Sequence, residues 1–248
     1  MCSSDLDPGN AHAIPWMWGT VGVGYNVEAV KKRLPDAPVD SLRMVFDPAV
    51  VSKFADCGVM LLDSPTDVLS AALKYLGLDP DSKKTEDLNK AAELLKAIRP
   101  YIRKFHSSEY VNGLANGDVC LALGFSGDIL QARDRAAKAS DKRDIAYAIP
   151  TQGAMVWFDV AAIPKDAPNP DNALKFIDFM MDPKVAAASS TVTGYANANL
   201  PATALLDKAI SGNTQIYPKS TDRAKFYTIS AANAEQTRIR TRLWTAVK

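Results

Sequence analysis

Two short apolar runs, Cys57-Gly58-Val59-Met60-Leu61-Leu62 and Val119-Cys120-Leu121-Ala122-Leu123-Gly124, set the strongest limit on how this chain folds. Both are apolar throughout and bounded by Gly or Asp, as interior parallel strands are. Helical spacing fills 48–55, 65–76 and 85–98. Pro48 and Pro65 stand at the first turns of two of these segments, and Thr85, Glu86 and Asp87 open the third. Val27 to Leu34 reads as a short helix stopped by Pro35, and Ala13 to Asn26 as two short extended pieces around Trp16-Met17-Trp18. Further on, 128–139, 172–181 and 235–247 read as helices, and 145–149 and 155–163 as strands. The run Lys165 to Pro170 is a turn before a helix. Alternation of this kind predicts an α/β fold of doubly wound type.

At 248 residues, 47% of them hydrophobic, the chain buries a sizeable core in one large or two smaller domains. Lys plus Arg number 29 against 28 for Asp plus Glu, so no single-sign field recruits nucleic acid or an anionic membrane. No stretch approaches the roughly 20 apolar residues that span a bilayer. The start, Met1 to Leu6, has neither a basic nor an apolar export region. Of three cysteines, Cys2 lies in a polar tail and is expected to be mobile, which leaves Cys57 and Cys120 as a candidate pair. A bridge there would restrict the unfolded chain by roughly 4 kcal/mol on the entropic account. Two small buried thiols are the alternative reading.

Catalytic patterns are incomplete. Gly19, Gly22 and Gly24 suggest a dinucleotide loop, but Val27 stands where its last glycine belongs. Gly124-Phe125-Ser126-Gly127-Asp128 is close to a nucleophile elbow, yet Asp128 occupies the place of the second glycine. Only His12 and His106 could serve as a base, and neither has partners at zinc-ligand spacing.

What the chain does hold is three aromatic residues and two carboxylates beside expected strand ends and tight turns: Phe125, Asp128, Trp157, Asp159 and Tyr195. An elongated organic cation suits such a set, because an ammonium is held by a π face at about 0.5–2 kcal/mol and by a partly desolvated carboxylate at comparable or larger energy. Each residue has a plainer role too. Asp128 could only cap a helix, and Asp159, read as buried in an apolar run, could pair with an internal Lys or Arg. Trp157 could be core, although its i, i+2 relation to Asp159 puts both on one strand face. Tyr195 could anchor a loop, Asp67 could serve its helix's first turn, and Trp16 and Trp18 read as packing residues.

Many runs in one order, among them Pro15-Trp16-Met17-Trp18-Gly19-Thr20, Leu62-Asp63-Ser64-Pro65, Leu114-Ala115-Asn116-Gly117-Asp118, Gly124 to Asp128, Phe158-Asp159-Val160, Tyr195-Ala196-Asn197-Ala198-Asn199 and Arg238 to Trp244, resemble the periplasmic polyamine-binding proteins of ABC transporters. The resemblance implies an α/β, type II periplasmic-binding-protein-like fold with two lobes and several hinge crossovers. It implies carboxylates at Asp128 and Asp159 for ligand ammonium groups, aromatic walls at Phe125, Trp157 and Tyr195, and an acidic residue at Asp67 toward the far end. It also implies that Cys57 and Cys120 are bridged. The expected activity is extracytoplasmic capture of a polyamine for delivery to an ABC permease, without enzymatic chemistry, cofactor, metal or nucleic acid, by a periplasmic monomer. A polyamine-sensing module or an amine-processing enzyme is the alternative.

Two departures from the family pattern bear on this. Phe125 replaces a common Trp, and Trp157 favours spermidine over putrescine by the same resemblance. The family's first segment is also unmatched, so the chain reads as N-terminally truncated, its lost segment having carried the export signal, and as a much weaker polyamine binder than an intact receptor. The expected layout is a junction or disordered tail at 1–6, a first-lobe remnant and hinge strand at 7–19, a second lobe at 20–143, a further first-lobe remnant at 144–183, and the rest of the second lobe at 184–248.

Overall fold

The computed structural model describes residues 7–248; the expected junction at 1–6, with Cys2, lies outside the described residues. In chain order the elements are β1 (Ile14–Asn26), α1 (Val27–Arg33), α2 (Arg43–Phe46), α3 (Pro48–Val51), β2 (Val59–Leu61), α4 (Pro65–Tyr75) and α5 (Thr85–Ile98). There follow β3 (Lys104–Phe105), α6 (Glu109–Asn116), β4 (Leu121–Phe125), α7 (Ser126–Lys138), β5 (Ile145–Ala148) and β6 (Ala154–Ala161). The chain closes with α8 (Pro170–Met181), α9 (Pro183–Thr193), β7 (Ala196–Asn197), α10 (Leu200–Thr203), α11 (Lys208–Ser211), β8 (Phe226–Tyr227) and α12 (Ala234–Val247).

Two compact units emerge, a larger one from Thr20–Val156 with Ser220–Lys248, and a smaller one that holds, of the described residues, 7–19 with Trp157–Lys219. In the larger unit β2 lies parallel to both β3 and β4, with Met60 opposite Lys104 and Ala122. The second half of β1 runs antiparallel to β4 and β5. The sheet is therefore mixed, whereas the alternation of elements alone suggests a parallel one. Leu61, Leu121 and Leu123 are buried on it, and α7 packs against β4 and β5; Val68, Leu69 and Leu73 of α4, Leu88 and Leu95 of α5 and Ile129 and Leu130 of α7 are buried in the same unit, where α4 and α5 pack on each other. Gly24 on β1 makes room for α7, because a Cβ there would lie 2.6 Å from Ile129 Cδ1. That close packing, not phosphate binding, is what this glycine serves.

Helix starts follow the capping rules. The Ser64 side chain accepts from the Asp67 N–H at α4, Asn26 does the same for Ala29 at α1, and Asn233 with Gln236 forms a capping box on α12. The buried Trp244 of α12 donates from Nε1 to Asp63 at 3.0 Å, and the ammonium of Lys248 bonds the same carboxylate at 2.7 Å. Because β2 and β4 are parallel neighbours, the residues that lead into them are close, and Cys57 and Cys120 are disulfide-bonded with Cα atoms 5.5 Å apart.

In the smaller unit the first half of β1 pairs with β7, Met17 opposite Asn197 and Trp18 opposite Ala196. Ala186, Ala187, Ala202 and Leu206 form its small core, with Ile210 and Tyr217 packed against them.

Several expectations change. Within the expected 13–26 segment, residues 14–26 form one strand rather than two pieces, since the chain passes from one unit to the other within β1 and finds ladder partners in both. The expected helix over 48–55 is α3 followed by a 3-10 turn at Ser52–Phe54. Residues 144–156 belong with the larger unit because β5 pairs with the second half of β1, and 184–219 with the smaller one because β7 pairs with the first half. Both segments thus lie on the other side of the division from the one expected.

Candidate functional site

In the larger unit, β4 runs directly into α7, which puts Phe125 at the last strand position and Asp128 in the first helical turn. A carboxylate there is favoured by the helix dipole. It is also held from outside the helix: the Tyr110 hydroxyl donates to Asp128 Oδ2 at 2.7 Å. The same hydroxyl accepts from the Phe125 N–H at 3.1 Å. Ser126, buried in that turn, accepts from the Thr20 N–H at 3.3 Å.

Asp67 occupies the first turn of α4. The Ser64 hydroxyl donates to its carboxylate while the Ser64 oxygen accepts from the Asp67 N–H at 3.3 Å. Burial raises the Asp67 carboxyl and outweighs the Ser64 bond, which pulls the other way. The phenol of Tyr227 on β8 is pushed up by burial, with the charge of Asp67 adding to the effect. Among the described residues no Lys or Arg forms an ion pair with Asp67.

In the smaller unit, Trp157 and Asp159 alternate with Phe158 along β6. Phe158 packs toward Trp18 at 6.4 Å, and Trp18 meets Tyr217 edge-on at 6.1 Å. The other strand face carries Trp157 and Asp159. The Trp157 and Tyr195 rings stand 5.0 Å apart at 76°. Tyr195 follows Gly194, whose φ of +73° ends α9 and turns the chain. Its sequence neighbours do structural work. Asn197 donates to Ser190 Oγ at 2.9 Å and to the Tyr217 hydroxyl at 3.2 Å, and Asn199 accepts from the Ala202 N–H at 3.1 Å.

Asp159 differs from its expected setting, for it is exposed by surface area rather than buried. The carboxyl is nonetheless close enough to protein mass that desolvation raises its pKa. No hydrogen bond or ion pair joins it to another described residue, so the internal Lys or Arg considered as its partner is not there. The structure thus gathers Phe125 and Asp128 around Tyr110 and sets Trp157 against Tyr195 one strand step from Asp159. Tyr110, Tyr227 and Ser64 escape a reading of the sequence for ligand chemistry. No local pattern marks Tyr110, because its place against Gly124 and Asp128 is set by tertiary packing.

Residues 6–218 match the model of a family described as bacterial extracellular solute-binding protein. The chain belongs to that family. Among curated members of this solute-binding family, the putrescine-binding periplasmic protein SpuD of Pseudomonas aeruginosa is 48% identical over 243 residues. The putrescine-binding periplasmic protein PotF of Escherichia coli is 46% identical over 244 residues. Each alignment covers 98% of this chain and 66% of the relative, so the chain spans about two thirds of their length. The solved spermidine/putrescine ABC transporter substrate-binding protein PotD of Streptococcus pneumoniae superposes with a TM-score of 0.77 at 26% identity, covering 99% of this chain and 71% of that one. The type II solute-binding fold is therefore the fold of this chain.

Proposed function

We propose that this protein is a periplasmic receptor that captures a short diamine, with putrescine as the representative ligand, and delivers it to an ABC permease as a monomer without changing it chemically. The observation that carries the reading is Asp159: a partly desolvated carboxylate that pairs with no cation among the described residues, on the strand face that also carries Trp157, which meets Tyr195. A carboxylate so placed favours a cation from outside, and an alkylammonium lying across an indole gains about 0.5–2 kcal/mol more. In the larger unit Asp128, Phe125 and Asp67 are the corresponding acceptor and aromatic candidates.

The relatives named for putrescine at 46–48% identity support a diamine. Proteins named for spermidine and putrescine together stand at 28–29%. The spermidine preference read from Trp157 is therefore set aside. Titration of intrinsic tryptophan fluorescence with putrescine, spermidine and butylamine tests the proposal. Saturable quenching strongest with putrescine supports it; no response to either polyamine, or equal response to the monoamine, overturns it.

A further inference from the structure

We infer that Tyr110 is a positioning residue for diamine capture, acting through Asp128; the inference rests on the proposed role of Asp128 as an ammonium acceptor. Tyr110 lies on α6 with 0% of its surface exposed. From β4, Gly124 admits the ring: a Cβ at that position would lie 2.5 Å from Tyr110 Cε2, so any side chain there would displace the phenol. The hydroxyl therefore arrives at a fixed point. The Phe125 N–H can only donate, so the Tyr110 oxygen accepts from it, and the single phenolic proton goes to Asp128 Oδ2.

This arrangement joins the strand end and the first turn of α7 through one buried atom. A hydrogen bond to an ionised carboxylate is about twice as strong as one between neutral groups, and it fixes the Asp128 rotamer before ligand arrives. A carboxylate that is already oriented loses less side-chain freedom on binding, and the saving appears as affinity. Phe125 gains in the same way, since its backbone is held by the same hydroxyl. Tyr110 touches no ligand on this reading; it sets where the acceptor and the adjacent aromatic wall stand.

The test is a double-mutant cycle in putrescine affinity, read by calorimetry on the full chain: wild type, Tyr110→Phe, Asp128→Asn and the double variant, each with its thermal melt. The expected result is an affinity about tenfold lower for Tyr110→Phe and no further loss when Tyr110→Phe is added to Asp128→Asn. Incorporation of 4-aminophenylalanine at position 110 restores the ring and a donor, and is expected to recover most of the affinity. This variant decides the matter even where Tyr110→Phe folds poorly. Wild-type affinity in Tyr110→Phe, a full additional loss in the Asp128→Asn background, or failure of the amino variant to recover binding overturns the positioning role. An Asp128→Asn variant that binds like wild type overturns instead the reading of Asp128 on which it rests.

Discussion

Trp157 and Tyr195 meet edge to face, their ring centroids 5.0 Å apart and their planes at 76°. One ring comes from β6 and the other from the turn after α9, so a strand and a loop separated in sequence brace each other. An edge-on contact of this kind is worth about 0.5–1.5 kcal/mol beyond the area it buries.

A bracing pair has a definite mutational signature. Trp157→Ala and Tyr195→Ala are each expected to weaken putrescine binding about tenfold, and the double variant by less than the product, because each ring holds the other. Calorimetry on the three variants measures this.

Burial raises the Asp67 carboxyl, and the sign of the consequence is fixed. Between the ordinary carboxylate value and the raised one, the native state holds more protons than the unfolded state, so stability falls as pH rises through that window and stays lower above it. Asp67→Asn is therefore expected to melt higher than wild type at neutral pH, with the difference vanishing below the ordinary carboxylate range, while putrescine affinity drops. Melts from pH 3 to pH 7, values chosen to bracket that range, check both signs.

The Cys57–Cys120 bridge spans a sequence separation of 63 residues. Its removal as Cys57→Ala with Cys120→Ala is expected to cost about 4 kcal/mol through the freed unfolded chain, read as a lower urea midpoint. Diamine affinity near saturating stability should change little, since neither sulfur contacts a proposed ligand residue.

Helix α8 buries none of its 12 residues, and Phe176 and Phe179 are 61% and 60% exposed. Apolar surface gathered in this way binds hydrophobic probes. Replacing both phenylalanines by lysine is expected to lower the binding of a hydrophobic dye, measured by fluorescence, without lowering the melting temperature.

Local chemistry explains which elements are legible in the sequence. Thr85–Ile98 declares itself by acidic residues in its first turn and a buried stripe of Leu88, Ala91, Ala92, Leu95 and Ile98, and it folds over those bounds. The apolar runs at β2 and β4 likewise become adjacent parallel strands. β1 does not declare itself, because its length and its antiparallel direction depend on β4, β5 and β7, partners far away along the chain. The same holds at the candidate site. The types and alternation of Trp157 and Asp159 can be read locally, but the exposure of Asp159 and the Tyr110 bond to Asp128 arise only from tertiary packing.

The most direct test is putrescine titration of the chain beside its Asp159→Asn variant, by calorimetry at neutral pH and low salt. The account predicts saturable one-site binding to the wild type and a loss of about tenfold or more in the variant, since a charged acceptor has been replaced by a neutral one. Equal affinity in the two proteins, or no heat of binding in the wild type, would contradict it.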